Sequence, residues 1–250
     1  MTARVAVLYD IHGNLPALAA VLDEVRDAGV DAIVIGGDAV PGPLPRETLA
    51  RLRSLVPPVR CLRGNGEREV LASRRGEPST SLPESVQNVL RWTAAELDPD
   101  EVRWLESWPA TLRIPIDGLG EALFCHATPR NDTEIFTRRT AEDRLAPVFA
   151  GVDAPLVVCG HTHMQFDRSV GRLRVVNAGS VGMPLSGPGA NWLLLGPGVE
   201  LRRTTYDAAA AAARIRASLY PEAAAFAEQN VLHPPSAEET LDRFAAVELS

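Results

Sequence analysis

Residues able to bind a metal ion recur at five places, each at the end of a short β-like run: Asp10-Ile11-His12, Gly37-Asp38, Gly64-Asn65-Gly66-Glu67, Cys125-His126 and Gly160-His161-Thr162-His163. Imidazoles and carboxylates together suit borderline divalent ions such as Mn²⁺, Fe²⁺ or Zn²⁺. The paired-cysteine spacing of a structural zinc cluster is absent. Asp10, His12, Asp38, Asn65, His126, His161 and His163 make seven candidate ligands, more than one ion uses. Two ions about 3.5–4 Å apart and joined by a carboxylate use such a set, and a pair of this kind generates a hydroxide and clamps a phosphoryl group. In Asp-x-His and His-x-His the side chains are two residues apart, so extended backbone would send both to one side. Taken singly, Asp10 or Asp38 reads as a turn former or helix cap, and His126 as a hydrogen-bonded core histidine. Only their joint occurrence points to a site, and His233, outside every block, is read as uninvolved.

Side chains spread over 150 positions need a scaffold that returns them to one place. Short β-like runs alternate with helical patterns, which predicts an α/β layered domain. "RVAVLY" reads as the first strand. Residues 14–29 read as a helix with Asn14 as N-cap, Pro16 in the first turn and Gly29 at the end. "AIVIG", a helix over 45–55 and "VRCLRG" complete a βαβαβ order. Ser81 with Glu84, and the segment "DPDE" at 98–101, signal two further helix starts, so 72–108 reads as a helical insertion. "ALFCH", "LVVCGH", "LRVVNAGS" and "NWLLLG" read as later strands, and the alanine-rich stretch from Asp207 as a helical C-terminal extension restarted by the capping box of Ser236 and Glu239. The whole, 1–250, reads as a single domain. In open α/β sheets the ligand crevice lies beyond the carboxyl ends of the strands, where all five blocks fall.

Composition narrows the function classes. With 46% hydrophobic and 23% charged residues the 250-residue chain is ordinary globular material, and no apolar run approaches the roughly 20 residues of a membrane helix. The opening segment reads as a strand and not as a signal peptide, so a cytoplasmic protein is expected. Cys61, Cys125 and Cys159 lie in or beside apolar runs and read as buried free thiols. A formal charge of −7 argues against a long nucleic acid as partner and leaves a small phosphoester substrate held by local cations. A homo-oligomer is left open.

The five blocks, in this order, resemble the motif series of the calcineurin-like metallophosphoesterases, D-x-H, G-D, G-N, H and G-H-x-H, over roughly residues 4–185. "HGNLPAL", "HATPRNDTE" and "NAGSVGMP" are most similar to its small bacterial and archaeal phosphodiesterase branch. The resemblance implies a four-layer αββα sandwich. It gives Asp10, His12 and His163 to one metal, Asn65, His126 and His161 to a second, and Asp38 to both. Mn²⁺ is the ion expected, with Fe, Zn, Ni and Mg as alternatives. The implied reaction is hydrolysis of phosphodiesters or activated phosphomonoesters, nucleotide-like compounds among them, by a metal-bridging hydroxide. Asp38, Asn65, Glu67 and His126 form the implied catalytic set. The alternatives are a catalytically silent scaffold of the same fold, which the superfamily also contains, and a protein serine/threonine phosphatase.

One position departs from that series: where much of the superfamily has an imidazole after the motif Asn, this chain has Gly66. An absent general acid forfeits about 10²–10⁴-fold for poor leaving groups. Glu67 keeps the acidic position and is read either as capping the next helix or as ordering a water. Arg130 either holds a substrate phosphate or pairs with Asp132, and Ser180 is expected to border the site as a substrate contact. Cys125 reads as core, and Trp92, Trp104 and Trp108 as packing more than as a base-stacking platform.

Overall fold

The computed structural model describes residues 3–249 apart from Pro78 and Thr80. Two five-stranded mixed sheets carry the site. The first has the order β10 (Val199–Thr204), β9 (Ala190–Leu195), β1 (Val5–Leu8), β2 (Ala32–Ile35), β3 (Val59–Cys61), with β1, β2 and β3 parallel. The second has the order β4 (Thr111–Ile116), β5 (Gly120–Cys125), β6 (Leu156–Cys159), β8 (Leu173–Ala178), β7 (Gln165–Val170), with β5, β6 and β8 parallel and β4 and β7 antiparallel at its edges. Every expected metal ligand follows a strand of one of these parallel cores.

The period of two in β1 decides which way each side chain faces. Val5, Val7 and Tyr9 join Val34, Phe124, Val158 and Val176 in the layer between the sheets. Ala6 and Leu8 face the helices and pack with Leu18, Val21, Leu49 and Leu52 of α1 (Leu15–Ala28) and α2 (Pro45–Arg53). The buried Tyr9 hydroxyl lies 3.0 Å from the carbonyl oxygens of both Cys125 and Val158, tying the first sheet to the second next to the site. On the outer face of the second sheet Phe136, Leu145 and Phe149 cover Leu123, Val157 and Val175. This fourth layer contains one short helix, α6 (Glu142–Leu145), and is otherwise irregular chain.

The expected caps of α1 form: the Asn14 side chain accepts from the Ala17 N–H, and Gly29 closes the helix in the left-handed conformation. After α3 (Asn65–Arg74), the helices α4 (Glu84–Glu96) and α5 (Pro99–Glu106) set Leu90, Leu105 and Trp108 into the same core as α1, each fully buried apolar side chain contributing about 1.5–3 kcal/mol. The Trp104 and Trp108 rings meet edge to face at 5.0 Å, as packing requires. α5 opens in the segment where a helix start was expected, on a capping box of Asp98 and Glu101. The box expected at Ser81 and Glu84 does not form: α4 starts at Glu84 behind Pro83, and the Ser81 hydroxyl meets that of Ser79 at 2.9 Å. A proline disfavours helical backbone in the residue before it, so Leu82 cannot begin the first turn.

The C-terminal region holds α7 (Ala208–Arg216), α8 (Ala223–Phe226), which continues as a π-helical turn over Ala227–Leu232, and α9 (Ala237–Phe244), opened by the Ser236–Glu239 capping box. Three strands, β4, β7 and β10, were not expected; all lie at sheet edges, where one face is wet and the residues mix charges with apolar side chains. The three cysteines are free and buried, and among the described residues no helix is long and apolar enough to cross a membrane.

Candidate metal centre

Five of the expected ligands, Asp10, His12, Asp38, His161 and His163, have positive φ, between 46° and 65°. The left-handed conformation costs a non-glycine residue about 1–2 kcal/mol, and such strain persists where surrounding bonds over-determine it. Those bonds are present: the loops after β1 and β2 pair through Asp10 N–H to Gly37 O (3.1 Å), His12 N–H to Asp38 O (2.9 Å) and Gly13 N–H to Ala39 O (2.9 Å). The Asp-x-His side chains are therefore brought together by left-handed loop residues beyond β1, not by the extended backbone expected from their spacing.

Two groups of donors result, one of Asp10, His12 and His163 and one of Asp10, Asp38 and His126, the candidate ligand atoms in each lying within 4.8 Å of one another. Asp10 Oδ1 is common to both: it is 3.3 Å from His163 Nε2, 3.8 Å from His126 Nε2 and 3.9 Å from His12 Nε2. Asp38 spans the groups differently, with Oδ1 3.5 Å from His126 Nε2 and Oδ2 3.7 Å from His12 Nε2. Asn65 joins the second group, its Oδ1 3.0 Å from His126 Nε2. His161 belongs to neither. Its backbone N–H donates to Asp10 Oδ2 at 2.9 Å and its Nε2–H to the Thr133 carbonyl at 3.1 Å, which leaves Nδ1 as its free nitrogen.

Whether a cation fits can be judged from the hydrogen bonds. The Nδ1–H groups of His12, His126 and His163 donate to the carbonyls of Pro41 (3.2 Å), Gly36 (2.9 Å) and Met183 (2.8 Å). Those bonds fix the tautomers, so each Nε2 is the nitrogen that presents a lone pair to the centre, the arrangement typical of metal-ligating histidines. His12 Nε2 and His163 Nε2 are only 3.2 Å apart, and Asp10 Oδ1, fully buried, has no hydrogen-bond partner. Two facing lone pairs and an orphaned buried carboxylate oxygen are costly unless something positive lies between them.

The titration shifts have the same cause. Burial pushes His12 down to about 3, helped by His163, and pushes His161 down to about 3. Burial also opposes charge on His126 and His163, but the carboxylates of Asp38 and Asp10 outweigh it and raise both. Asp10, despite its burial, is held well below the usual carboxylate range by His163, His126 and His12. Burial, reinforced by Asp10 and only partly offset by His126, pushes Asp38 up to about 6. Among the described residues no arginine pairs with Asp10, Asp38 or Glu67, so the pocket is acidic and short of positive charge. The donor set fits divalent ions.

Two expected site residues, Glu67 and Ser180, hold the loops of the centre in place, and a third, Arg130, is taken up by an ion pair. Glu67 is fully buried and accepts from the N–H groups of Asp38 (2.8 Å), Gly64 (2.9 Å) and Val40 (3.2 Å); it caps α3 and clamps the β2 loop. Burial, with the Asp38 charge beside it, pushes Glu67 up to about 7. Ser180, expected as a substrate contact, is buried; its hydroxyl donates to Asp10 O (2.7 Å) and accepts from Met183 N–H (2.7 Å), so it supports the Asp10 loop. Arg130 pairs with neither a free anion site nor Asp132 but with Glu134, at 2.6 and 2.9 Å, and Asp132 pairs with Arg68 at 2.7 Å. Cys125 is buried and burial pushes its thiol up, in keeping with core packing.

Gly66 does not have a positive φ; it is glycine because there is no room for more. A Cβ there would stand 2.4 Å from Val40 O and 2.8 Å from Asp38 Oδ1, and the Gly66 N–H donates to Asp38 Oδ1 at 2.7 Å. Gly64 is equally confined, its Cβ position lying 2.2 Å from Asp38 Oδ1. Sequence reasoning missed the carbonyls of Gly36, Pro41, Thr133 and Met183 that orient the imidazoles, because a backbone oxygen leaves no signature in residue type. It also passed over Arg63, whose place directly before the Gly64-Asn65 block was the available signal, and which lines the cleft beside His126.

The chain compares with known proteins over most of its length. It is 29% identical over 243 residues to the uncharacterized protein MJ0912 of Methanocaldococcus jannaschii, covering 88% of this chain and 95% of that one. A metallophosphoesterase structure from Sphaerobacter thermophilus matches with a TM-score of 0.72 at 27% identity, over 93% of this chain and 99% of the other. The structure of PH1004 from Pyrococcus horikoshii matches with a TM-score of 0.79 at 22% identity, again over 93% and 99%, and bears on the fold alone. A family model described as the calcineurin-like phosphoesterase superfamily domain covers residues 3–196, a span that includes the whole of the donor cluster, and the chain therefore belongs to the calcineurin-like phosphoesterase superfamily.

Proposed function

We propose that this protein is a dinuclear metal-dependent phosphoesterase acting on phosphodiesters or activated phosphomonoesters, nucleotide-like compounds among them. Hydrolysis of phosphoesters is the chemistry of its superfamily. The observation that carries the dinuclear reading is the convergence of three Nε2 atoms, their tautomers fixed by carbonyls, on the unpartnered Oδ1 of Asp10. His12 and His163 would hold one ion and Asn65, His126 and His161, through Nδ1, a second, with the carboxylates of Asp10 and Asp38 each within reach of both. When bound, the ions supply Lewis acidity that activates water and neutralises charge on the phosphoryl oxygens.

The chain's own residues account for the rest. The carbonyls of Pro41, Gly36 and Met183 aim the imidazoles, and Glu67 keeps the Asp38 and Gly64 loops in register, a role whose loss costs about 10–100-fold in comparable outer partners. At position 66 no side chain can protonate a departing oxygen, and Val40 O fills the space such a group would need. The rate should therefore follow the acidity of the leaving group, with aryl esters hydrolysed much faster than alkyl esters. Mn²⁺ is our choice of ion and the cytoplasm our choice of location, three buried free thiols being suited to a reducing compartment.

The test is metal analysis and a phosphoester panel on protein reconstituted with Mn²⁺. We expect about two ions per chain, consistent with a two-metal site, and turnover of bis(p-nitrophenyl) phosphate well above that of its alkyl analogues. Failure to bind metal, or activity indifferent to a chelator, overturns the reading.

A further inference from the structure

A cleft of about 380 Å³ opens beside His12, between α4 and the π-helical continuation of α8. Its volume lies within the range of roughly 300–1,000 Å³ typical of small-molecule sites. Val86, Val89, Met183, Tyr220 and Phe226 form its walls. Val86 is an apolar residue left 40% exposed on α4, while the Tyr220 ring meets Phe226 at 6.0 Å on one side and Trp92 at 5.5 Å on the other. These contacts make a preformed aromatic wall. The cleft is continuous with the metal centre through residues that serve both. Pro41 and Met183 line it, and their carbonyls are those that fix His12 and His163.

Charge defines what the cleft can take. Glu222 is the one acidic side chain on its walls, and no arginine lines it. A second phosphate or an acidic chain would meet an unfavourable field there. Gln229 and Asn230 stand at the rim, brought there by the π-helical turn, and among the described residues their amides have no hydrogen-bond partner. Such turns frequently mark functional sites. Apolar walls around a ring, with uncommitted amides at the edge, match a neutral aromatic group that carries its own donors and acceptors.

We infer that this cleft seats the organic substituent of the phosphoester and selects substrates in which that substituent is an uncharged aromatic or heteroaromatic ring. The inference rests on the phosphoesterase reading and adds the substrate class and its specificity residues. Helix α4 and the C-terminal region thereby become part of the site, which the ligand motifs alone do not indicate.

The test uses two phosphonates that cannot be hydrolysed. Calorimetric titration of the Mn²⁺-loaded protein should give phenylphosphonate an affinity about tenfold or more above that of methylphosphonate, as burial of a ring in an apolar cleft predicts. Val86→Glu, on a partly exposed helix face where folding is not at stake, should bring the two affinities together; the added charge acts on both phosphonates alike, so their ratio is the readout. A thermal melt of the variant checks the fold, and Val86→Ala should keep most of the preference. Equal affinities in the wild type, or a preference that survives Val86→Glu, overturn the cleft assignment. If aryl esters are nevertheless hydrolysed in a metal-dependent way, the phosphoesterase reading stands without it. If neither phosphonate binds and no ester is hydrolysed, both fall together.

Discussion

Two clefts of similar size flank the donor cluster, and their chemistry is opposite. The one beside His12, of about 380 Å³, is walled by Val86, Met183 and aromatic rings. The one beside His126, of about 340 Å³, is walled by Arg63, Arg68 and Arg130. Such a wall would suit anions, yet Arg68 is committed to Asp132 and Arg130 to Glu134. Arg63 is left as the arginine of that wall without an ion-pair partner among the described residues. A row of arginines in a sequence therefore overstates the charge available to a ligand, because folding pairs most of it internally. What separates the clefts is one uncommitted guanidinium against an aromatic wall without a cation.

Asp10→Asn should have the largest effect, because its Oδ1 belongs to both donor groups and its loss disables both sides at once. We expect kcat/KM to fall by more than the roughly 10–100-fold of an outer partner, with metal content falling too. Asp38→Asn, expected from the resemblance to be the more damaging of the two, should on this geometry do no more harm than Asp10→Asn. Parallel metal analysis and kinetics on the two variants decide between a bridge at Asp10 and one at Asp38. Glu67→Gln should come next, at about 10–100-fold in activity or metal affinity, since the amide can supply only one of the two acceptor oxygens now used.

Gly66→Ala tests the space beside Asp38. Forcing a Cβ to within 2.4 Å of Val40 O should cost about 1–3 kcal/mol of stability, read as a lowered Tm, as overpacking generally does. Gly66→His should fare worse and should not rescue alkyl esters. The smallest effect belongs to Arg63→Gln: a KM increase worth about 0.2–1 kcal/mol, the range for partly exposed charge pairs. Arg130→Gln, already paired with Glu134, should change KM less than Arg63→Gln; the reverse order would mean that Arg130 leaves Glu134 for substrate.

Much of this site was legible because most of its residues lie at the ends of buried strands such as β1, β2 and β6, the edge strand β3 before Asn65 being the exception. Such strands read as unbroken apolar runs, and the residue types that end them stand out. The edge strands β4, β7 and β10 were not legible, since "TLRIPI", "QFDRSV" and "VELRRT" mix charge with apolar residues as loops also do. Local rules served where their partners are neighbours, as at Asn14, Asp98 and Ser236, and failed at Ser81, where Pro83 overrode the pattern.

The sequence by itself determined which side chains could bind metal, the order in which strands deliver them, and the apolar periodicity that puts them at one edge of a layered fold, because each of these depends on residue type and short-range spacing. Tertiary structure decided the rest. It made Asp10 Oδ1 common to two donor groups, turned Glu67 and Ser180 into supports, consumed Arg130 in an ion pair, excluded a side chain at position 66 and enclosed the aromatic cleft beside His12. Each of those outcomes depends on distances between atoms far apart in the chain or on backbone carbonyls and N–H groups that every residue carries, and neither is written in the identity of any single residue.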